Sequence, residues 1–261
     1  MIAPGELSVH VGTDNTGRSR ISKLRQRYPQ RVTTALHSDA GFPLAAMLCV
    51  QSPSGGTFSD DDLCTTVVCA SGSHLVLTTQ AATQVYAGAG PGARHRLQFT
   101  VCPDAILEYL PKTVIPQSDS TFDQVLDIDV CPTGTYIGWE AVAAGRIAHG
   151  ERFRYACSDF AVTVRSEGRV IARDRQRFTP AVAPFLGGDY VATMMVLTPN
   201  RPTVTSVIRE ALRGLTDVLG GVGDLPNCAG TVARITTDRA PALRHAQQTI
   251  HAAARDAVLQ L

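Results

Sequence analysis

Two carboxylates in this chain stand where a charge is costly. Glu108 lies between Leu107 and Tyr109, and Glu140 follows Trp139, the only tryptophan. A carboxylate with apolar flanks needs a partner, a hydrogen bond or a task. Two such acids could serve a carboxylate-based hydrolase, or they could be the acidic ends of structural ion pairs. Their separation in space decides between these readings. Asp60-Asp61-Asp62 is the densest acidic spot and could attract a hard divalent cation. Neighbouring side chains on an extended segment point opposite ways, however, and no EF-hand spacing follows, so the spot reads as a solvated turn that needs no ligand. Gly145-Arg146 and Gly150-Glu151 read as a turn between strands, with Arg146 free to grip a carboxylate through two parallel bonds.

Softer ligands are scattered. The seven histidines (His10, His37, His74, His95, His149, His245 and His251) make no pair on one turn of an expected helix. His149 with Glu151, or His74 near Cys69, are conceivable pieces of a nickel or zinc site. The seven cysteines form no Cys-x-x-Cys pair, and an odd, dispersed set in a chain of 261 residues is no disulfide framework. They read as reduced, small hydrophobes. No base stands beside a nucleophile, and no phosphate loop is present. No enzymatic activity is expected.

Composition narrows the partners. A net charge of +1 argues against nucleic acid, whose binding rests on clustered positive charge. No run of about eighteen apolar residues is available to span a bilayer. Residues 1–6 carry no basic stretch followed by an apolar one, so no secretory signal is expected and the cytoplasm is the expected location. An apolar fraction of 44% supports a sizeable core, and 18% charged residues is low for a soluble protein.

The elements that must position these groups change character once along the chain. From residue 5 to about 200, runs of β-formers are punctuated by turns such as Ser52-Pro53-Ser54-Gly55-Gly56 and Pro132-Thr133-Gly134. Short strands with regular turn signals predict a mainly β protein of layered antiparallel sheets, sandwich-like or β-helical. Residues 13–28 are polar and Arg-rich, more loop than strand. After Pro202, Val204, Val207, Ile208, Ala211, Leu212, Leu215, Val218 and Leu219 keep steps of three and four, predicting a helix over 204–219 that Gly220-Gly221 ends. A strand over 231–236 follows, and then a helix from Pro241 to residue 259. Its apolar face carries Leu243, Ala246, Ile250, Ala253, Ala257 and Leu261. The expectation is one domain over 1–261: a β body over about 5–200, then helix-strand-helix over about 203–261.

Two strings carry a likeness to a known family. Leu77-Thr78-Thr79-Gln80-Ala81-Ala82-Thr83-Gln84-Val85-Tyr86 and Leu107-Glu108-Tyr109-Leu110-Pro111 resemble, in order and spacing, the signature of urease accessory proteins of the UreD/UreH type. The likeness extends to Gly5-Glu6-Leu7, Phe42-Pro43-Leu44 and Pro53-Ser54-Gly55-Gly56, which is similar to a Pro-Pro-Gly-Gly turn. It continues at Gly145-Arg146 with Gly150-Glu151-Arg152-Phe153, and at Gly230-Thr231-Val232-Ala233-Arg234. Two departures stand out. Ser59-Asp60-Asp61 replaces Gly-Gly-Asp, and Ala87 replaces an Arg after Tyr86.

The resemblance implies a scaffold that does no chemistry of its own. It implies assembly with a UreF-type accessory protein and, through it, a nickel-binding UreG-type GTPase, and docking of the complex on the urease apoprotein. Nickel would bind transiently, with no tight cofactor, passing through an internal route of weak carboxylate and backbone contacts. Asp61, Glu108 and Glu140 are the expected acids of that route. Arg146 is expected to hold one of them, and Glu151, Thr79, Gln80 and Tyr86 to support it. The rival readings are a hydrolase using Glu108 and Glu140, and a β-rich interaction module without a metal role.

Overall fold

The computed structural model describes residues 5–199 and 201–259; the expected position of Leu261 on the last helix falls outside them. The chain enters through β1 (Gly5–Thr13), β2 (Ser19–Arg27) and β3 (Arg31–Val32). It then passes back and forth between two sheets. β4 (Ala46–Gln51) lies in the second sheet and β5 (Asp62–Cys69) in the first. β6 (His74–Thr79) and the short β7 (Thr83–Val85) return to the second, and β8 (Ala93–Val101) to the first. β9 (Ile106–Leu110) and β10 (Val114–Pro116) join the second sheet, β11 (Thr121–Val130) the first, β12 (Thr135–Ala143) the second and β13 (Cys157–Ser166) the first. β14 (Arg169–Phe178) folds back on β13, and β15 (Tyr190–Leu197) returns to the second sheet. Helix α1 (Arg201–Arg213), β16 (Leu219–Asp224), β17 (Thr231–Thr237) and helix α2 (Ala240–Leu259) complete the described chain.

The mainly β, layered architecture agrees with the reading of the sequence, in its β-helical form. The strand directions differ from it. β1, β5, β8, β11 and β13 pair in parallel, as do β4, β6, β9 and β12; antiparallel pairs occur at the margins. The turns explain this. The turn at Gly72, the one at Asp104 and the one at Gly134 each carry the chain from one sheet to the other, so neighbours within a sheet lie one coil apart. Those corners stack. Cys102 donates its amide to the carbonyl of Cys69, and Cys131 to that of Val101, at 3.0 and 2.9 Å. Burial pushes the Cys69 thiol up to about 12, leaving it an inert hydrophobe.

Period-two alternation sets the interior. Leu7, Val9 and Val11 of β1, Val67 of β5, Leu97 and Phe99 of β8, and Leu126 and Ile128 of β11 point inward and form one apolar cluster. A second cluster around Val85, Phe122, Tyr155, Phe160 and Phe178 fills the other end. The outer face of the second sheet is covered by α1 and α2, through Ile137, Trp139, Met194, Ile208, Leu243 and Ile250. The buried stripe of α2 ends on Ala254 and Val258 rather than on Ala253 and Ala257, with Ala257 packed at its margin.

Two local expectations are corrected. Helix α1 stops at Arg213, and Leu219 begins an edge strand that pairs with β17. Leu215 and Val218 do join the apolar cluster under the helices, so the stripe marked burial correctly but overran the helix. Residues 19–27 form strand β2, not a loop. As the edge of the first sheet it is exposed along most of its length, which removes the alternation that would betray it.

Candidate functional site

Glu108 sits on β9 and is fully buried. Its side chain points out of the second sheet toward α2. The Nε2 atoms of His74 on β6 and His251 on α2 each donate to it at 2.6 Å, and Arg255 Nε at 3.0 Å. Arg255 also pairs with Asp39 at 2.6 Å and lies 4.2 Å from the centre of the Phe42 ring. Burial would raise the Glu108 carboxyl; the hydrogen bonds from His251 and His74, with the charge of Arg255, bring it down to about 2. His251 and Arg255 are one turn apart on α2, so this cluster fastens the last helix to the sheet.

Glu140 has the opposite surroundings. It projects from β12 into the space between the sheets, where the Gln124 amide of β11 donates to it. Burial pushes its carboxyl up to about 7, the Gln124 bond opposing and the charge of Asp174 adding to the shift. A cavity of about 140 Å³ lies here, lined by His95, Tyr109, Gln124, Glu140 and Phe160 among others. Glu140 also borders two smaller spaces, one toward Gln176 and Val191, the other toward Asp174 and Thr193. Gln176 in turn donates to Thr193 at 2.9 Å. A polar layer therefore divides the two apolar clusters of the interior.

The mouth of this cavity is made by the ends of β6 and β9. Thr79, Gln80, Ala81 and Ala82, with Pro111 and Lys112, form its rim. Thr79 Oγ1 accepts the Lys112 amide at 2.9 Å, and Thr78 donates to the Leu110 carbonyl at 2.7 Å, so the two segments are tied together. Gln80, Ala81, Ala82, Pro111 and Lys112 also border a wide groove of about 650 Å³ beside α2.

The remaining expected residues lie apart from this layer. Asp61 closes its own turn, accepting the Phe58 amide at 2.8 Å, and does not line the cavity. Arg146 grips Glu151 through two bonds, not Asp61, Glu108 or Glu140; the two are neighbours on one turn, which is why the nearer acid wins. Tyr86 stacks on Phe58 with ring centres 5.0 Å apart and covers Gly56, where a Cβ would come within 2.4 Å of its ring. Ser59 is accommodated by glycines opposite: a Cβ at Gly88 would lie 2.3 Å from its hydroxyl, and one at Gly90 2.5 Å from its carbonyl. His74 is spent on Glu108, and Glu151 on Arg146. Among the described residues no three His, Cys, Asp or Glu side chains converge as metal ligands.

The sequence reading leaves His95 among the scattered histidines and does not single out Gln124. Both occupy inward positions in otherwise apolar alternation, between Ala93 and Leu97 on β8 and between Phe122 and Leu126 on β11. A polar residue in the inward phase was the available signal.

Comparison with known proteins gives a consistent answer. The family model described as UreD urease accessory protein matches residues 3–261. The urease accessory protein UreD of Mycolicibacterium gilvum is 53% identical over 99% of this chain and 96% of its own length. UreD 2 of Streptomyces griseus is 28% identical over 92% of this chain and 85% of its own, and UreD of Cenarchaeum symbiosum 28% over 85% and 81%.

Proposed function

Because this chain belongs to the UreD family of urease accessory proteins, we propose that its part in urease maturation is to pass nickel toward the urease apoprotein. It does so as a non-catalytic scaffold of one continuous domain, in the cytoplasm, assembled with a UreF-type protein and, through it, a UreG-type GTPase. The observation that supports the nickel role is the polar layer around Glu140. A carboxyl withdrawn from water between two apolar clusters costs stability unless it is paired or has a task. Transient passage requires contacts strong enough to admit the ion and weak enough to release it. A carboxyl that titrates near neutrality, flanked by amide and hydroxyl groups, meets that requirement.

In this reading the ion enters past Thr79 and Gln80, reaches Glu140 and leaves toward Asp174 and Thr193. Glu108 takes no part in the route; it anchors α2. Asp61, Tyr86 and the Arg146–Glu151 pair shape the loops near the rim. The test is urease activation with purified components, comparing wild type with Glu140→Gln while the assembled complex is weighed in parallel. Lost activation with intact assembly supports the route. Full activation by the variant removes it.

A further inference from the structure

His95 is held in one tautomer by a relay whose direction is determined at its far end. The Gln30 side-chain amide donates to two backbone carbonyls, those of Gly5 at 3.2 Å and Cys64 at 2.9 Å, which orients its NH2 group. Its oxygen is then an acceptor, and the Thr65 hydroxyl donates to it at 2.7 Å. Thr65 has a single hydrogen, so toward His95, 2.9 Å away, its oxygen can only accept. The proton of the imidazole therefore sits on Nε2, and Nδ1 carries the free lone pair. Burial separately keeps the ring neutral, lowering it to about 4.

The ring lines the same cavity as Glu140. His95 stands directly beside Gln124 in the register of β8 with β11, and Gln124 donates to Glu140. No hydrogen bond to Nδ1 is made among the described residues.

We propose that His95 Nδ1 is a ligating station inside the cavity, offering a neutral imidazole nitrogen to a borderline divalent cation before it reaches Glu140. Gln30 and Thr65 are positioning residues that hold the lone pair in place. The proposal rests on the nickel-passage reading and adds a selectivity to it. Imidazole nitrogen suits nickel or zinc, whereas magnesium and calcium prefer oxygen. A single nitrogen with one carboxylate nearby binds weakly, which fits transit rather than storage.

The test uses the full chain with Ni2+, Zn2+ and Mg2+ as separate probes, read by long-range 15N–1H spectra of the imidazole rings. The His95 ring is expected in the Nε2–H form. Ni2+ should broaden its signals, Zn2+ should shift Nδ1, and Mg2+ should leave both unchanged. His95→Gln keeps a donor for Thr65 and lacks the Nδ1 lone pair, so it should reduce urease activation at limiting nickel at least tenfold with assembly intact. Thr65→Val keeps the imidazole and frees the tautomer; it should mix the two ring forms and weaken the Zn2+ shift severalfold, which serves if the first variant does not fold. A proton on Nδ1, or a ring indifferent to Ni2+ and Zn2+, overturns the proposal. So does full activation by His95→Gln. If Glu140→Gln still impairs activation in that case, the passage reading survives; if both variants activate fully, the passage reading fails as well.

Discussion

Glu108 and Glu140 project from opposite faces of one sheet. β9 and β12 pair in parallel with Glu108 beside Ile137, and Ile137 points outward to the helices. Glu140 is three residues further along the same strand, an odd step, so it points inward. The two acids cannot flank a common bond, which a carboxylate pair acting in hydrolysis must do. The cavities described above border Glu140 and not Glu108. One acid fastens a helix; the other faces a cavity.

The outward member should behave as a structural anchor. Glu108→Ala leaves Arg255 with only Asp39, and His74 and His251 without their acceptor. Breaking a buried charged cluster in this way costs about 3–5 kcal/mol. The expected result is a large fall in thermal midpoint together with protease cleavage within α2. Because the carboxyl is held at about 2 against an ordinary 4.5, its contribution is complete above pH 4.5 and is lost as pH falls toward 2. The difference in stability between wild type and Glu108→Gln should therefore shrink in acid, as followed by urea denaturation at pH 7 and pH 3.

The inward member should show the reverse sign. With Glu140 raised to about 7, the folded state keeps a proton that the unfolded chain releases above pH 4.5. The unfolded state is then favoured progressively between pH 4.5 and 7, and folding stability falls across that window. Glu140→Gln abolishes this loss. It should match wild type near pH 4 and exceed it at pH 8, by up to about 3 kcal/mol. Equal stabilities at pH 8 would show that the carboxyl is solvated and not in the layer described. A variant that gains stability while losing urease activation would separate the function of this acid from its structural cost.

Much of this was legible in the sequence, and the reasons for what was not are physical. Alternation located the β body, and the apolar flanks of Glu108 and Glu140 announced that both are withdrawn from solvent, Glu108 fully and Glu140 in part. Which way each pointed depends on register between strands distant in sequence, and no local pattern reports it. Parallel pairing was hidden for a similar reason: Pro132-Thr133-Gly134 reads alike whether it joins hairpin partners or successive layers of a coil. Helix α1 was overrun because Leu215 and Val218 bury apolar surface without being helical. His95 was within reach, since residues 93, 95, 97 and 99 share one face, yet its relay through Thr65 to Gln30 crosses separations of 30 and 35 residues.

Gly56 offers a test of the loop architecture near the rim. An added Cβ would meet the Tyr86 ring at 2.4 Å and the Gln84 carbonyl at 2.7 Å, and neither can retreat easily. The ring is stacked on Phe58, and the Gln84 carbonyl accepts the Thr57 amide at 2.8 Å. Gly56→Ala should destabilise the protein by about 1–3 kcal/mol, the usual cost of forcing extra volume into a packed site. Phe58→Ala in the same chain releases the ring and should recover part of that loss, as thermal denaturation of the double variant would show. Additive losses would mean that the ring does not bear the strain.

The rim itself can be closed without touching the polar layer. Ala81 and Ala82 sit where the cavity meets the groove beside α2, and Ala81 is exposed. Ala82→Trp places a large side chain across an opening that leads to a cavity of only about 140 Å³. Ala82 is half-buried, so the added volume should cost about 1–3 kcal/mol at most, and thermal denaturation checks that the variant folds. If the route runs through this mouth, urease activation at limiting nickel should fall severalfold while the complex still assembles. The imidazole signals of His95 should then no longer respond to added Ni2+, whereas in His95→Gln the mouth stays open and the ring is absent. Should the Trp variant assemble and activate urease as well as wild type, the ion does not enter here. Should assembly itself fail, the groove beside α2 is a docking surface, and a smaller plug such as Ala81→Leu on the exposed side of the rim would separate entry from docking.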